Sequence, residues 1–262
     1  VNFKPAEEFP ADDVGYGFDN IGDVLTMPPI LMEKYLDAAE DIIDMVYKNR
    51  FVFTKYLKVS SPEKVTSADF PKILEDIATK AYRRPTTKDE VDKLVKLCEM
   101  LEKKGEKPSD ALKAGLQAIL VSPKFLFHVE IDPDPNSTTP HKVNQFELAG
   151  RLSYFLWSTM PDALLFDLAK QNKLHDKGVL EEQVARMLKD PKAKAFTLNF
   201  PEQWLHLRNL KTINPDKAKF PTFTDALRDD MAKEAELFFE YITKENRSIL
   251  ELLDADYTFL NL

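Results

Sequence analysis

The segment PPILMEKYLDAAEDIIDMVYKN, residues 28–49, decides the fold class. Its apolar residues recur every three or four positions, which is the spacing of one face of an α-helix. Two prolines open the segment, and proline suits a first helical turn because its missing N–H would have no intrahelical partner there. The segment therefore predicts an amphipathic helix with an apolar stripe formed by Leu31, Tyr35, Ala38, Ile42 and Val46.

The same helical spacing continues along most of the chain. Residues 69–84 form a second amphipathic segment, and Pro85 breaks that helix. Thr87 and Glu90 have the spacing of a capping box, which predicts that another helix begins there. Asn144 is the predicted N-cap of a further helix.

No stretch of the sequence shows the sustained apolar and polar alternation that a β-strand requires. Only seven glycines are present, which disfavours a fold rich in hairpins. The sequence therefore predicts an all-α protein of about nine or ten helices, packed as one or more multi-helix bundles with little or no β-structure.

One segment interrupts the helical pattern. Residues 131–142, IDPDPNSTTPHK, contain three prolines and several small polar residues, which is typical of a linker. We expect an N-terminal helical region over residues 1–130, with 1–50 and 65–130 as two sub-units, and a C-terminal helical domain over residues 143–262.

Composition excludes several classes of function. The 44 acidic residues outnumber the 36 basic ones, giving a net charge of −8, which argues against nucleic-acid binding. No run of 18 apolar residues is present, so no membrane-spanning helix is predicted. The single cysteine, Cys98, excludes an internal disulfide, and its position on an apolar helical face indicates a buried structural thiol.

The sequence lacks the motifs of several common reactive centres. There is no CxxCH for covalent attachment of haem c, no glycine-rich nucleotide-binding loop, no G-x-S-x-G elbow and no HExxH. Glu202 and His206 are spaced as half of a metal site, and Glu236 and Glu240 as a possible acid–base pair. An ordinary helix pair and a solvated helix face explain these two spacings better. The sequence therefore assigns no catalytic residue and leaves open whether the chain is an enzyme.

The acidic stretch FPADDVGYGFDN, residues 9–20, is the strongest candidate for a metal site. Its oxygen-bearing side chains are of the type that Ca²⁺ prefers, but the stretch lacks the EF-hand pattern. The alternative is a rigid acidic turn stabilised by local side-chain to backbone hydrogen bonds. The candidate ligands for Ca²⁺ are Asp12, Asp13, Asp19 and Asn20.

Several longer segments resemble known domains. Residues 9–40, beginning FPADDVGYGFDN, resemble one helical domain of large planctomycete proteins that also carry cytochrome-c-type domains. A second domain of these proteins is similar to AYRRPTTKDEVDKL (81–94) together with GLQAILVSPKFLFHVE (115–130). A third is similar to ELAGRLSYFLWSTMPDALLFDLA (147–169), RMLKDPKAKAFTLNFPEQWL (186–205) and LLDADYTFLN (252–261). All three domains have unknown function. The resemblance implies that the first of these three domains is incomplete in this chain.

The matching motif positions are not assigned catalytic roles by the resemblance. They are Arg83, Arg84, Pro85, Ser122, Pro123, Arg151, Ser153, Tyr154, Trp157, Asp162, Arg186, Trp204, Asp254 and Asp256. His128 departs from the family pattern, which more often has arginine there.

Arg151 lies within the apolar sequence RLSYFLW, and a buried arginine requires a carboxylate or carbonyl partner. Asp162 and Asp254 are the candidate partners, and the pair would serve either as a structural clamp or as a substrate clamp. Trp157 and Trp204 have large flat rings that could stack on a ligand, although aromatic residues at helical spacing are usually core. The candidate ligand-binding residues are therefore Arg151, Trp157, Asp162 and Trp204.

Two functions follow from these observations. The resemblance implies the helical scaffold or docking part of an extracytoplasmic, for example periplasmic, haem-c-associated oxidoreductase. The haem would then lie in a missing segment or in a partner chain, and the partners would be the remaining domains of the same protein. The alternative is a ligand-binding or assembly module, without catalysis, that holds a polysaccharide, Ca²⁺ or a protein partner.

Overall fold

The predicted all-α fold is confirmed. A computed structural model describes residues 4–10, 15, 16, 18, 21–128, 130, 132 and 134–260. Within these residues there are twelve α-helices, ten of them with seven or more residues, and no β-strand. Among the helices of these residues, none combines the length and the apolar character of a membrane span.

The chain divides into two compact units. Unit 1 comprises Val1–Asp12 and Thr26–Lys142, and unit 2 comprises Asp13–Leu25 and Val143–Leu262. The helices of unit 1 are α1 (Pro29–Lys48), α2 (Arg50–Leu57), α3 (Phe70–Ala81), α4 (Lys88–Lys103), α5 (Pro108–Leu120) and α6 (Pro123–Leu126). Those of unit 2 are α7 (Gln145–Trp157), α8 (Ala163–Lys170), α9 (Lys177–Lys189), α10 (Lys194–Trp204), α11 (Asp225–Lys244) and α12 (Glu251–Asp254).

Helix α1 begins at its second proline as the sequence predicts, but its buried face differs from the predicted stripe. Ile43 is 5% exposed and lies in the core, whereas Ile42 is 37% exposed. Leu31 and Ala39 are the other buried residues of the helix. Because apolar residues stand side by side at 42 and 43, their spacing alone does not distinguish the two faces, and packing against α5 selects the face that contains Ile43.

Two predicted helix starts are confirmed. The Thr87 hydroxyl accepts from the backbone N–H of Glu90, and the Glu90 carboxylate accepts from the backbone N–H of Thr87, which completes the capping box of α4. The Asn144 side chain accepts from the backbone N–H groups of Phe146 and Glu147 at the start of α7. Each cap satisfies amide donors that have no partner within the helix.

The core of unit 1 is closed by a close approach of α4 and α5 at Gly115. A Cβ atom at this position would lie 2.7 Å from the Cys98 sulfur and 3.0 Å from a methyl carbon of Leu74. Cys98 is fully buried here, as the sequence predicts. Glycine is therefore required at position 115 by the space available.

We predict that Gly115→Ala destabilises the protein by about 1–3 kcal/mol, because the added methyl group overpacks the core. Gly150→Ala is the matched control, since it makes the same change in α7, where a Cβ atom would meet nothing within 4 Å. That substitution should stabilise the protein by about 0.5–1 kcal/mol through the reduced flexibility of the unfolded chain.

Denaturant-induced unfolding followed by circular dichroism measures both changes. The Cys98→Ala background should reduce the cost of Gly115→Ala, because it removes the sulfur that the new methyl group meets. Equal signs for the two glycine substitutions would contradict the packing explanation.

Candidate functional site

Two of the quoted motifs meet in unit 1. The guanidinium group of Arg83 donates hydrogen bonds to the carbonyl oxygens of Lys124 at 2.9 Å, Phe125 at 3.1 and 3.2 Å, and Phe127 at 2.7 Å. Arg83 is 9% exposed and has a positive φ of 58°, a conformation that side chains other than glycine adopt at a cost. Its contacts join the YRRP turn to the end of α6, which is a structural role.

The neighbouring arginine has a carboxylate partner. Arg84 donates two hydrogen bonds to Glu90, at 2.7 and 3.0 Å, and Lys124 also forms an ion pair with this carboxylate. Glu90 therefore combines a helix-capping role with two positively charged partners. The hydrogen bond from Arg84 is the largest contribution holding the pKa of Glu90 far below its usual value, with Lys124 and Thr87 acting in the same direction.

In unit 2, the indole of Trp157 lies in the core. The ring is 3% exposed, and its Nε1 donates to the carbonyl oxygen of Met187 at 2.9 Å. Lys192 Nζ lies 4.0 Å from the ring centroid and the Arg186 guanidinium carbon 5.3 Å from it, both within range of cation–π attraction. These contacts make Trp157 part of the framework that joins α7 to α9.

Asp162 has a different partner from the one that the sequence suggested. Arg186 donates to its two carboxylate oxygens at 2.8 and 3.3 Å. Asp162 also caps α8 by accepting from the backbone N–H of Leu165 at 2.9 Å. Burial opposes ionisation of Asp162, but the hydrogen bonds from Arg186 and from Leu165 outweigh it, so that the pKa of the carboxyl lies below its usual value.

The expected burial of Arg151 is wrong. The residue is exposed on α7, although its sequence neighbours are apolar, because a helix turns each successive side chain by about 100°. Asp254, the other suggested partner, is exposed in α12. The arginine–aspartate clamp of this unit is instead formed by Arg186 and Asp162, which are both partly exposed.

Sequence reasoning missed a continuous set of aromatic rings that includes Trp204. We call Phe155, Phe196, Phe200 and Trp204 the aromatic surface. Phe196 stacks on Phe200 with centroids 5.6 Å apart and planes at 17°, and Phe200 stacks on Trp204 at 5.7 Å and 27°. Phe155 of α7 contacts Phe196 at 5.0 Å.

The aromatic surface is open to solvent at its two ends. Phe155 is 56% exposed and Trp204 is 45% exposed, while Phe239 of α11 lies buried beneath the central rings. The spacing of positions 196, 200 and 204 along one face of α10 is the sequence signal that could have identified this set.

The proposed Ca²⁺ ligands Asp12, Asp13, Asp19 and Asn20 lie outside the described residues. Close to them, Gly15 and Phe18 exchange two backbone hydrogen bonds of 2.9 Å, which close a tight turn. A Cβ atom at Gly15 would lie 3.0 Å from the side chain of Ile21. Across the residues described elsewhere, no three His, Cys, Asp or Glu side chains converge as metal ligands would.

Comparison with known families finds three consecutive domains in this chain. Residues 1–48 match a protein of unknown function, PSD3 (DUF1587), residues 70–130 match PSD5 (DUF1595), and residues 143–262 match PSD4 (DUF1592), also of unknown function. The chain carries these three domains. Neither the curated proteins nor the solved structures include a match to it.

We predict that Glu90 makes part of the stability of the protein dependent on pH. Its folded-state pKa is depressed, so its contribution is present above the unfolded pKa of about 4.3 and is lost as the pH falls below that value. Between about pH 5 and pH 3 the wild type should lose about 1–2 kcal/mol more stability than Glu90→Gln, because only the wild type must protonate this carboxylate.

Urea unfolding at a series of pH values measures this difference. Asp89→Asn is the control, since Asp89 is 75% exposed and its pair with Lys93 is open to solvent. A pH profile of Glu90→Gln that follows the wild type would argue against this role of Glu90.

Two substitutions separate the capping role of Asp162 from its ion pair with Arg186. Asp162→Asn keeps a good N-cap for α8 and loses the charge opposite Arg186, whereas Asp162→Ala loses both. We expect Ala to cost about 1 kcal/mol more stability than Asn, which is the usual value of an N-cap. Thermal and urea unfolding of the two variants measure the difference, and equal losses would show that the cap contributes nothing.

Proposed function

We propose that this chain is the helical docking part of an extracytoplasmic, haem-c-associated oxidoreductase, with no catalytic centre of its own. The observation that carries the proposal is the aromatic surface of unit 2. Exposed apolar patches of this kind mark sites of interaction, and tryptophan is enriched among the residues that contribute most to binding. The proposed partner is a haem-c domain of the same protein.

The stacking within the aromatic surface favours docking. Trp204 rests on Phe200 and Phe200 on Phe196, so each ring is held in one orientation by its neighbour. Side chains that are already ordered lose little conformational freedom when a partner binds. A partner that covers Phe155 and Trp204 therefore gains the burial of two aromatic rings at a low entropic cost.

The groups with strongly shifted pKa values support the proposal that this chain has no catalytic centre of its own. Burial raises the pKa of Cys98 to about 11, and this thiol packs against Gly115 in the core of unit 1. Burial also raises the pKa of Tyr47, whose hydroxyl donates to the carbonyl oxygen of Ser109 at 2.9 Å. Glu90 is held ionised by its arginine and lysine partners. Each shift has a structural cause.

The haem is proposed to lie outside this chain. Covalent attachment of haem c uses two cysteine thiols in a CxxCH motif, and this chain has a single, fully buried cysteine. The residues of this chain therefore do not fit the covalent attachment of haem c. The haem-c context and the extracytoplasmic location come from the resemblance of the three segments to domains of cytochrome-c-containing proteins.

Fluorescence of the complete protein tests the docking proposal. The chain has two tryptophans, of which Trp157 is buried and Trp204 is exposed. The difference in emission between the wild type and Trp204→Phe is therefore the emission of Trp204. We expect the complete protein to show a Soret band and the emission of Trp204 to be quenched by the haem. Phe155→Asp should weaken docking and increase that emission severalfold.

Phe51→Asp is the matched control, because Phe51 is 76% exposed on α2 in unit 1 and lies outside the aromatic surface. A complete protein without a Soret band, or an unchanged emission in Phe155→Asp, would contradict the proposal. A change in Trp204 emission on adding a polysaccharide would instead favour the ligand-binding module.

A further inference from the structure

Unit 1 carries a basic and apolar surface that the docking proposal does not use. Helix α1 ends at Lys48, and α2 begins at Arg50 after the single residue Asn49, whose side chain caps α2. Residues 45–62 include four basic residues and no acidic one, although the net charge of the chain is −8. We call the following residues the basic corner: Lys48, Arg50, Phe51, Lys55, Tyr56 and Lys58.

The four basic side chains of this corner are exposed and only weakly compensated. Lys48 Nζ lies 3.8 Å from the Asp44 carboxylate, but 78% of the lysine side chain is exposed, and such a pair contributes little. Asp44 also accepts a hydrogen bond from Lys113 at 2.7 Å. Glu63, whose charge interacts with that of Arg50, is itself exposed. The basic corner therefore presents net positive charge to solvent.

Two aromatic rings lie among these charges. Phe51 is 76% exposed and Tyr56 is 46% exposed, and Lys55 Nζ lies 5.4 Å from the centroid of the Tyr56 ring. The buried residues of α2 are Phe53 and Leu57. Since a helix turns by about 100° per residue, positions 51 and 55 lie on the face opposite to these two. An apolar ring and an ammonium group thus share the outward face of α2.

An open groove of about 710 Å³ adjoins the two rings, where α1 ends and α2 begins. Five apolar residues line it, namely Ile42, Met45, Val46, Phe51 and Val52. Lys48 and Arg50 line it as well, and among the described residues of this lining none is acidic. The groove therefore combines an apolar wall with two cationic groups.

This combination fits an anionic lipid. An acyl chain is complementary to the aliphatic wall, and a phosphate headgroup is complementary to Lys48 and Arg50. Lysine and arginine have long apolar stems that keep the charged group at the headgroup level while an apolar neighbour enters the lipid. A nucleic acid would also be attracted by the charge, but the aliphatic wall offers no hydrogen bonds to the edges of bases.

We propose that the basic corner docks unit 1 on an anionic membrane surface. Phe51 enters the boundary between headgroups and acyl chains, and the apolar groove takes up the upper part of one acyl chain. The four basic side chains pair with headgroup phosphates. Each basic residue close to such a surface strengthens binding by about fivefold, so the charge and the exposed ring act together.

Co-sedimentation of the 262-residue chain with lipid vesicles tests the proposal. The probes are vesicles of phosphatidylcholine alone and vesicles that also contain phosphatidylglycerol, which is anionic. We expect binding to the anionic vesicles to be at least about tenfold tighter than to the neutral ones. Binding should weaken as the salt concentration rises from about 0.1 M to about 0.5 M, because salt screens exposed charges.

Two substitutions connect binding to the basic corner. Lys55→Glu and Phe51→Ser should each weaken binding to the anionic vesicles by about tenfold. The matched control for charge is Lys177→Glu on α9, where 89% of the lysine side chain is exposed, since it changes the net charge equally. The matched control for the ring is Phe220→Ser, since Phe220 is 57% exposed in unit 2. Circular dichroism checks that all four variants are folded.

Four outcomes would overturn the proposal. They are no binding to anionic vesicles up to about 1 mM lipid, equal binding to neutral and anionic vesicles, and equal binding by Lys55→Glu and Lys177→Glu. The fourth is binding to a DNA duplex, measured by fluorescence anisotropy, without binding to vesicles, which would assign the basic corner to nucleic acid. None of these results depends on docking through the aromatic surface, so each proposal can fail alone.

Discussion

A charged side chain that leaves water must find a partner, and this constraint determines how both units are assembled. In unit 1, Arg83 is almost completely buried because three backbone carbonyl groups accept its hydrogen bonds. Those carbonyls lie at α6, more than forty residues away in sequence. The same contacts that neutralise the cost of burying the guanidinium group therefore fix the YRRP turn against the end of the helical core.

In unit 2, a carboxylate side chain is the partner of the charged group. Arg186 of α9 and Asp162 at the start of α8 form a two-point contact, and the guanidinium group also lies over the ring of Trp157. Asp162 simultaneously ends the preceding loop by capping α8. On α11, Arg228 and Glu236 also have charged partners, in Asp225 and Lys233, although one nitrogen of Arg228 and one oxygen of Glu236 are buried without a hydrogen bond within the described residues.

The sequence predicts local features better than it predicts partners. Helix starts at Thr87 and Asn144 follow from short-range rules, since the donor and the acceptor lie within three residues of each other. The partner of Asp162 did not follow, because the choice between Arg151 and Arg186 depends on how α7 and α9 pack. Glu236 was interpreted as part of a solvated face, but the packing of α10 against α11 buries one of its oxygens.

Tertiary packing also decides which of the two tryptophans faces solvent. Both follow apolar residues at helical spacing, so composition and periodicity treat them alike. Trp157 is buried where α9 supplies a carbonyl group for its indole nitrogen, whereas Trp204 ends α10, stacks on Phe200 and is 45% exposed. The sequence could therefore suggest only Trp204 as a member of the aromatic surface, and the structure was needed to find the other three rings.

Helix α10 explains why the aromatic surface is ordered although it is partly exposed. Pro201 lies inside this helix and removes one backbone hydrogen bond, yet the helix continues to Trp204. The lost hydrogen bond makes the last turn depend on side-chain contacts. Phe196 and Phe200 supply them by packing on buried Phe239 of α11, and Trp204 extends the stack outward. The rings of the aromatic surface are thus the same rings that hold the end of the helix in place.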